Sequence, residues 1–200
     1  ALGPDHQLTL DSLVLRGIAL WQTGRLDDAR VDLSEALARI EKSAGPESPD
    51  AAEVLHFLGR VQLDQGNLKG ARGTLERKLR IDESKLGADH PITAASLHNL
   101  AAVLDRLGEL EDARRLEERA LAIREKVLGA EHTETAWSLE GLGSILMHLG
   151  RLLEARRHFE RALAIREKAV GPESLDVANT LALLGDLLGE LGDLQEAEAM

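Results

Sequence analysis

Histidine is the residue type in this chain best suited to metal binding or proton transfer, and there are seven. An imidazole can do either near neutral pH. Their spacing speaks against both. His6, His90 and His132 fall at one position of a repeated segment, at a turn, which points to a shared structural role such as capping. His56 and His98 are 42 residues apart. On adjacent packed helices they would lie about 9 to 10 Å from each other, too far to share a Zn²⁺ whose bonds to nitrogen are about 2.1 Å. There is no His-Glu-x-x-His pair and no Cys, so disulfides and thiolate metal sites are unavailable. Ser144 and His148 stand one helical turn apart with Met147 between them. A nucleophile also needs an orienting third group and an oxyanion hole, and the sequence assembles neither. Gly141-Leu142-Gly143 lacks the strand and the third glycine of a nucleotide loop, and there is no Walker sequence. No catalytic centre, cofactor site or metal site is expected.

What must position any remaining functional side chain is a repeat. Gly24-Arg25-Leu26, Gly66-Asn67-Leu68, Gly108-Glu109-Leu110, Gly150-Arg151-Leu152 and Gly192-Asp193-Leu194 follow at steps of 42, each with Ala three residues after the Leu. Gly3, Gly45, Gly87, Gly129 and Gly171 keep the same step. A period of this size means a stacked array whose usual work is surface recognition. In the third copy Ile92, Leu97, Leu100, Ala101, Leu104 and Leu107 recur at helical spacing behind Pro91, and Gly108 stops the run. Ala113, Leu116, Ala120, Leu121 and Ile123 mark a second helix up to Gly129. The period predicts first helices near 7–22, 49–64, 91–106, 133–148 and 175–190. Second helices are expected near 26–43, 68–85, 110–127 and 152–169, with another begun at 194. The copies then run 7–44, 49–86, 91–128, 133–170 and 175–200, the last cut short, as a single array over residues 1–200. Ser48 and Ser174 stand at N-cap positions. Gly17, Gly59, Ala101, Gly143 and Gly185 recur in mid-helix, where Gly costs about 1 kcal/mol relative to Ala, so a close approach of the facing helix is expected.

Composition narrows the function. The net charge is −11, which disfavours a nucleic-acid role. Apolar residues make up 44%, nearly all aliphatic, with two Trp, two Phe and no Tyr. No run approaches the roughly 18 to 20 apolar residues of a membrane span, so no membrane insertion is expected. The absence of Cys and of a signal peptide fits a cytoplasmic location. The chain opens on Ala1 inside a turn motif and closes on Met200 inside a helical stretch, which suggests a piece of a longer protein.

The pattern resembles the tetratricopeptide repeat, in the 42-residue form of kinesin light chains and nephrocystin-3-like proteins. Leu97, Leu100, Ala101, Gly108, Leu110, Ala113 and Ala120 carry the likeness, with counterparts at steps of 42. Residues 119–126 and 161–168 share one sequence, Arg-Ala-Leu-Ala-Ile-Arg-Glu-Lys, similar to the light-chain second helix. The turn Gly87-Ala88-Asp89-His90-Pro91 is similar too. The resemblance implies an all-α fold, a right-handed superhelical α-solenoid of stacked antiparallel helix pairs. It also implies a protein-interaction scaffold rather than an enzyme. Several positions depart from the family. Leu104, Leu110 and Leu116 stand where Tyr is frequent, Lys78 replaces a small Ala, and Arg16 replaces Leu. Glu117 takes the place held by Leu75 and Phe159, which suggests that Leu116 turns inward instead.

In such a solenoid the first helices line the concave side, so their outward faces are the expected groove for a peptide or protein segment. The first two copies offer Val14, Leu15, Ile18 and Trp21, then His56, Phe57 and Arg60. The later copies offer His98, Asn99 and Arg106, then Trp137 and Met147, then Asn179. Asn99 matches the second Asn of the light-chain pattern Leu-Asn-Asn-Leu-Ala, for which the resemblance implies a bond to a peptide backbone. Val14, Ile18 and Trp21 make the first helix apolar nearly all round, either a partner anchor or a face covered by upstream chain. The groove residues sum to acidic with apolar patches, so a partner with apolar anchors and some Lys or Arg is expected. Two other readings stay open. The array would be the regulatory arm of a signalling kinase, STAND-type NTPase or caspase-like protease, contacting other domains of its own polypeptide, or it would associate with itself.

Overall fold

The computed structural model describes residues 7–192, and every regular element in that range is a helix. In chain order these are α1 (Gln7–Gln22), α2 (Leu26–Ala44), α3 (Pro49–Asp64), α4 (Leu68–Leu86) and α5 (Pro91–Arg106). They continue with α6 (Leu110–Val127), α7 (Thr133–His148), α8 (Leu152–Val170) and α9 (Leu175–Leu191). Odd-numbered helices are the first of each copy and even-numbered ones the second. The expected bounds hold for α1, α3, α5, α6 and α7, while α2, α4, α8 and α9 each run one residue further. The helix expected from 194, His6 and Gly3 lie outside the described residues.

Punctuation explains the regularity. Gly45, Gly87 and Gly171 close second helices with φ of 96°, 98° and 83° and ψ of 157°, 161° and 159°. A residue with a Cβ is strained in that region, so the turn demands glycine. The position three residues later caps the next helix. Ser48 Oγ accepts from the Ala51 N–H at 3.2 Å and Ser174 Oγ from the Val177 N–H at 3.3 Å. His90 and His132 do the same through Nδ1, accepting from the Ile92 and Glu134 N–H groups, each at 3.1 Å. Imidazole and hydroxyl thus serve one capping position, and the expected structural role of His90 and His132 holds.

The chain forms two compact units, residues 1–88 and 89–200. In the first, Leu33, Ala36, Val54, Leu58 and Val61 are buried between α1, α2 and α3, with Leu75 buried from α4. In the second, Leu139, Leu142, Phe159, Ile165, Leu184 and Leu187 form the core of α7, α8 and α9. Fully burying one such side chain is worth about 1.5 to 3 kcal/mol.

Close approach occurs where the small residues predicted it. A Cβ on Gly17 would stand 2.8 Å from Leu33 Cγ, one on Gly59 2.6 Å from Leu75 Cδ2, and one on Gly143 2.6 Å from Phe159 Cε1. Each clash is with the second helix of the same copy. The third copy pairs Ala101 with Glu117 at these two positions. Here one expectation fails. Glu117 itself points inward and is 1% exposed, while Leu116 is only half-buried. The carboxylate can stay inside because His98 Nδ1 lies 3.0 Å from both of its oxygens. The other departures also find partners. Lys78 and Asp82 are both buried and form an ion pair of 2.6 Å, and Arg16 reaches Asp32 through two bonds of 2.5 and 2.7 Å.

Candidate binding face

In the first unit the outward faces of α1 and α3 carry two adjoining features. One is a cleft of about 230 Å³ floored by Val14, Leu15, Ile18, Ile40 and Val54 and rimmed by Asp11, Asp50 and Glu53. Leu15 is 65% exposed, a large apolar side chain held in water, and Val14 and Ile18 are half-buried. The other is an aromatic cluster toward the C-terminal ends of the same helices. The rings of Trp21 and Phe57 are 6.3 Å apart, and His56 meets Phe57 edge-on at 4.9 Å. The Arg60 guanidinium sits 5.4 Å from the Trp21 ring centre, and Trp21 Nε1 donates to Asp64 Oδ2 at 2.6 Å. Burial, reinforced by the Lys78 and Arg60 cations, pushes His56 down to about 4. Its ring is therefore neutral at physiological pH and behaves as part of the aromatic cluster.

The second unit treats the same face differently. His98 turns toward Glu117. Asn99 is 7% exposed, a buried amide rather than the open groove donor that the light-chain pattern implies. Arg106 and Asn179 are exposed. Met147 is half-buried against the core of α7 and α8. Trp137 is 43% exposed, and the Arg166 guanidinium lies 4.5 Å from its ring centre. His148 Nδ1 lies 2.7 Å from Asp105 Oδ1 on the neighbouring first helix. The helical turn shared by Ser144 and His148 therefore does not orient a base toward the hydroxyl.

The buried charges between copies were not read from the sequence. Arg124 on α6 is 3% exposed and bonds Ser138 Oγ at 2.7 Å and Glu134 Oε2 at 3.1 Å, both on α7. Arg166 on α8, 2% exposed, bonds Glu140 Oε2 at 2.6 Å and pairs with Asp176 at 3.1 Å. Thr180 also donates to Glu140. Burial raises the Glu140 carboxyl, although Thr180 and Arg166 oppose the shift.

Comparison with known proteins accounts for the architecture. Two family models, each described as tetratricopeptide repeat, match residues 8–84 and 133–200 and residues 93–134. The chain belongs to the tetratricopeptide repeat family. A kinesin light chain-type protein from Podosopora anserina with nearly identical TPR-like repeats is 26% identical. The match covers 100% of this chain and 93% of that one, with a TM-score of 0.81. BtubC (BKLC) from P. vanneervenii is 22% identical over 96% of this chain and 76% of that one, with a TM-score of 0.78. The apo form of RapI is 18% identical over 94% of this chain and 50% of that one, with a TM-score of 0.71. A search of curated proteins returned no match.

Tetratricopeptide arrays of this type serve in general as scaffolds for protein interaction. Among the described residues no helix is long and apolar enough to cross a membrane. One sequence signal does mark the inter-repeat charges. Ile123-Arg124 and Ile165-Arg166 fall in the repeated octapeptide, whereas the first copy has Arg39-Ile40 at the same two positions. Reversing the pair moves the arginine to the outer surface, where Arg39 bonds Glu35 on its own helix. Ile40 takes the interior place.

Proposed function

We propose that this repeat array binds a protein segment along the outward faces of α1 and α3, with apolar side chains of the partner seated between Leu15 and the Trp21–Phe57 cluster. The observation that carries the reading is the open cleft beside Leu15, an apolar floor within an acidic rim. Charged and apolar surfaces so placed recognise a partner that is apolar at its anchors and basic around them. Support also comes from the neutrality of His56, which leaves the aromatic cluster without a cation of its own ring. Trp21 and Phe57 are the anchors' contact residues, because large aromatic side chains dominate the energy of such patches.

The test uses a displayed library of random dodecapeptides selected on this chain. Peptides recovered from it should bind Trp21→Ala and Phe57→Ala about tenfold or more weakly, with helicity by circular dichroism retained in both variants. Unchanged affinity in both would remove the binding face from α1 and α3.

A further inference from the structure

We infer that the cleft between α1 and α3 receives an arginine side chain of the bound segment, in the place that later copies fill with an arginine of their own. The inference rests on the proposed binding face and specifies what that face selects. Its starting point is the step of 42. Two steps carry Ile40 to Arg124, Asp50 to Glu134 and Val54 to Ser138; three steps carry them to Arg166, Asp176 and Thr180. In the third and fourth copies the arginine rises from the second helix, is almost wholly buried and pairs with the acid at the head of the next first helix. In the first copy the acid remains as Asp50, but the arginine is gone. Ile40 ends short of it, and the space above Ile40 and Val54 is the cleft.

The chemistry of that space favours a guanidinium. Asp50 has no ion-pair partner among the described residues, and Glu53 stands on the same rim. The floor of Val14, Ile18, Ile40 and Val54 suits the methylene stem of a long basic side chain, which buries its carbons and keeps its charge at the edge. A planar fork with several donors can bond Asp50 together with a second rim carboxylate, which a lysine ammonium does less well. A cleft of about 230 Å³ lies below the usual range for a drug-sized ligand, so it suits one inserted side chain. The second unit shows that this backbone accommodates a buried arginine between successive first helices, since Arg166 bonds Glu140 on α7 and pairs with Asp176 on α9.

The experiment selects random dodecapeptides on the wild-type chain and measures their affinity for two variants by fluorescence anisotropy. The expected result is a shared arginine among the selected peptides, with affinity reduced about tenfold or more when it is replaced by Leu and less when it is replaced by Lys. Ile40→Arg supplies the missing side chain from α2 and should compete, weakening the same peptides about tenfold or more. Asp50→Asn, an exposed substitution that does not disturb packing, should weaken them too. Helicity is checked for each variant, and Asp50→Asn decides the matter if Ile40→Arg does not fold. Peptides that depend on Trp21 and Phe57 but share no arginine would overturn this inference and leave the binding face standing. So would a folded Ile40→Arg chain that binds them with unchanged affinity. Recovery of no peptide at all would overturn both.

Discussion

Glu117 places a carboxylate where the first, second and fourth copies carry Leu33, Leu75 and Phe159, and His98 is what makes the exchange tolerable. A buried charge without a partner destabilises far more than an apolar side chain in the same place. His98→Ala removes the ring that faces the two carboxylate oxygens across α5 and α6, leaves Glu117 to the Arg124 cation, and should cost about 3 kcal/mol or less. The triple variant His98→Ala, Ala101→Gly and Glu117→Leu restores the glycine–leucine pairing of the first two copies and should recover much of the loss. Urea unfolding followed by circular dichroism reads the difference. Equal midpoints for the single and triple variants would show that the pair does not hold Glu117 inside. Sequence alone misassigns Glu117. An acidic residue among apolar ones suggests that Leu116 rotates inward, and only the pairing of two departures within one copy explains why Glu117 does so instead.

Elements are the scale at which this sequence is most readable, because each boundary depends on a residue with an unusual backbone. Glycine at Gly45, Gly87 and Gly171 and caps at Ser48, His90, His132 and Ser174 leave little freedom in where helices begin and end. The extra residue on α2, α4 and α8 follows from the same turn, whose glycine N–H still bonds the carbonyls of Glu41, Glu83 and Glu167. The mid-helix glycines could be located from the period, but the atoms they admit could not. Gly143 accepts the edge of Phe159, a bulkier and stiffer group than Leu33 or Leu75. Gly143→Ala gains helix propensity of about 1 kcal/mol. It must also push α7 and α8 apart against a fully buried ring, and overpacking of this kind costs about 1 to 3 kcal/mol. The net effect should be a destabilised second unit. Amide exchange should quicken in α7 and α8 of Gly143→Ala while the helical content measured by circular dichroism stays the same. Unaltered protection there would mean that the helices separate without cost.

For the whole molecule the period reveals the class of fold, and composition reveals the sign of its field, but neither shows which interior positions hold charge. Arg124, Arg166, Glu140, Glu117, Lys78 and Asp82 all look like surface residues by type, and all are buried. Compensating partners on other helices have no signature at the helical period, and the Lys78–Asp82 pair along α4 has the spacing of an ordinary surface pair. What survives as exposed charge matters for association. The net charge of −11 surrounds a cleft whose own rim is acidic, so long-range and local fields act on a basic partner in the same direction. The screening length falls from about 10 Å at 0.1 M salt to about 3 Å at 1 M, which removes the long-range part before the contacts. Association of the selected basic peptides should therefore slow about tenfold or more between low and high salt, with a much smaller change in the dissociation rate. Stopped-flow fluorescence separates the two. An association rate indifferent to salt would mean that apolar contacts alone select the partner, and the acidic rim would then be an ordinary solvated surface.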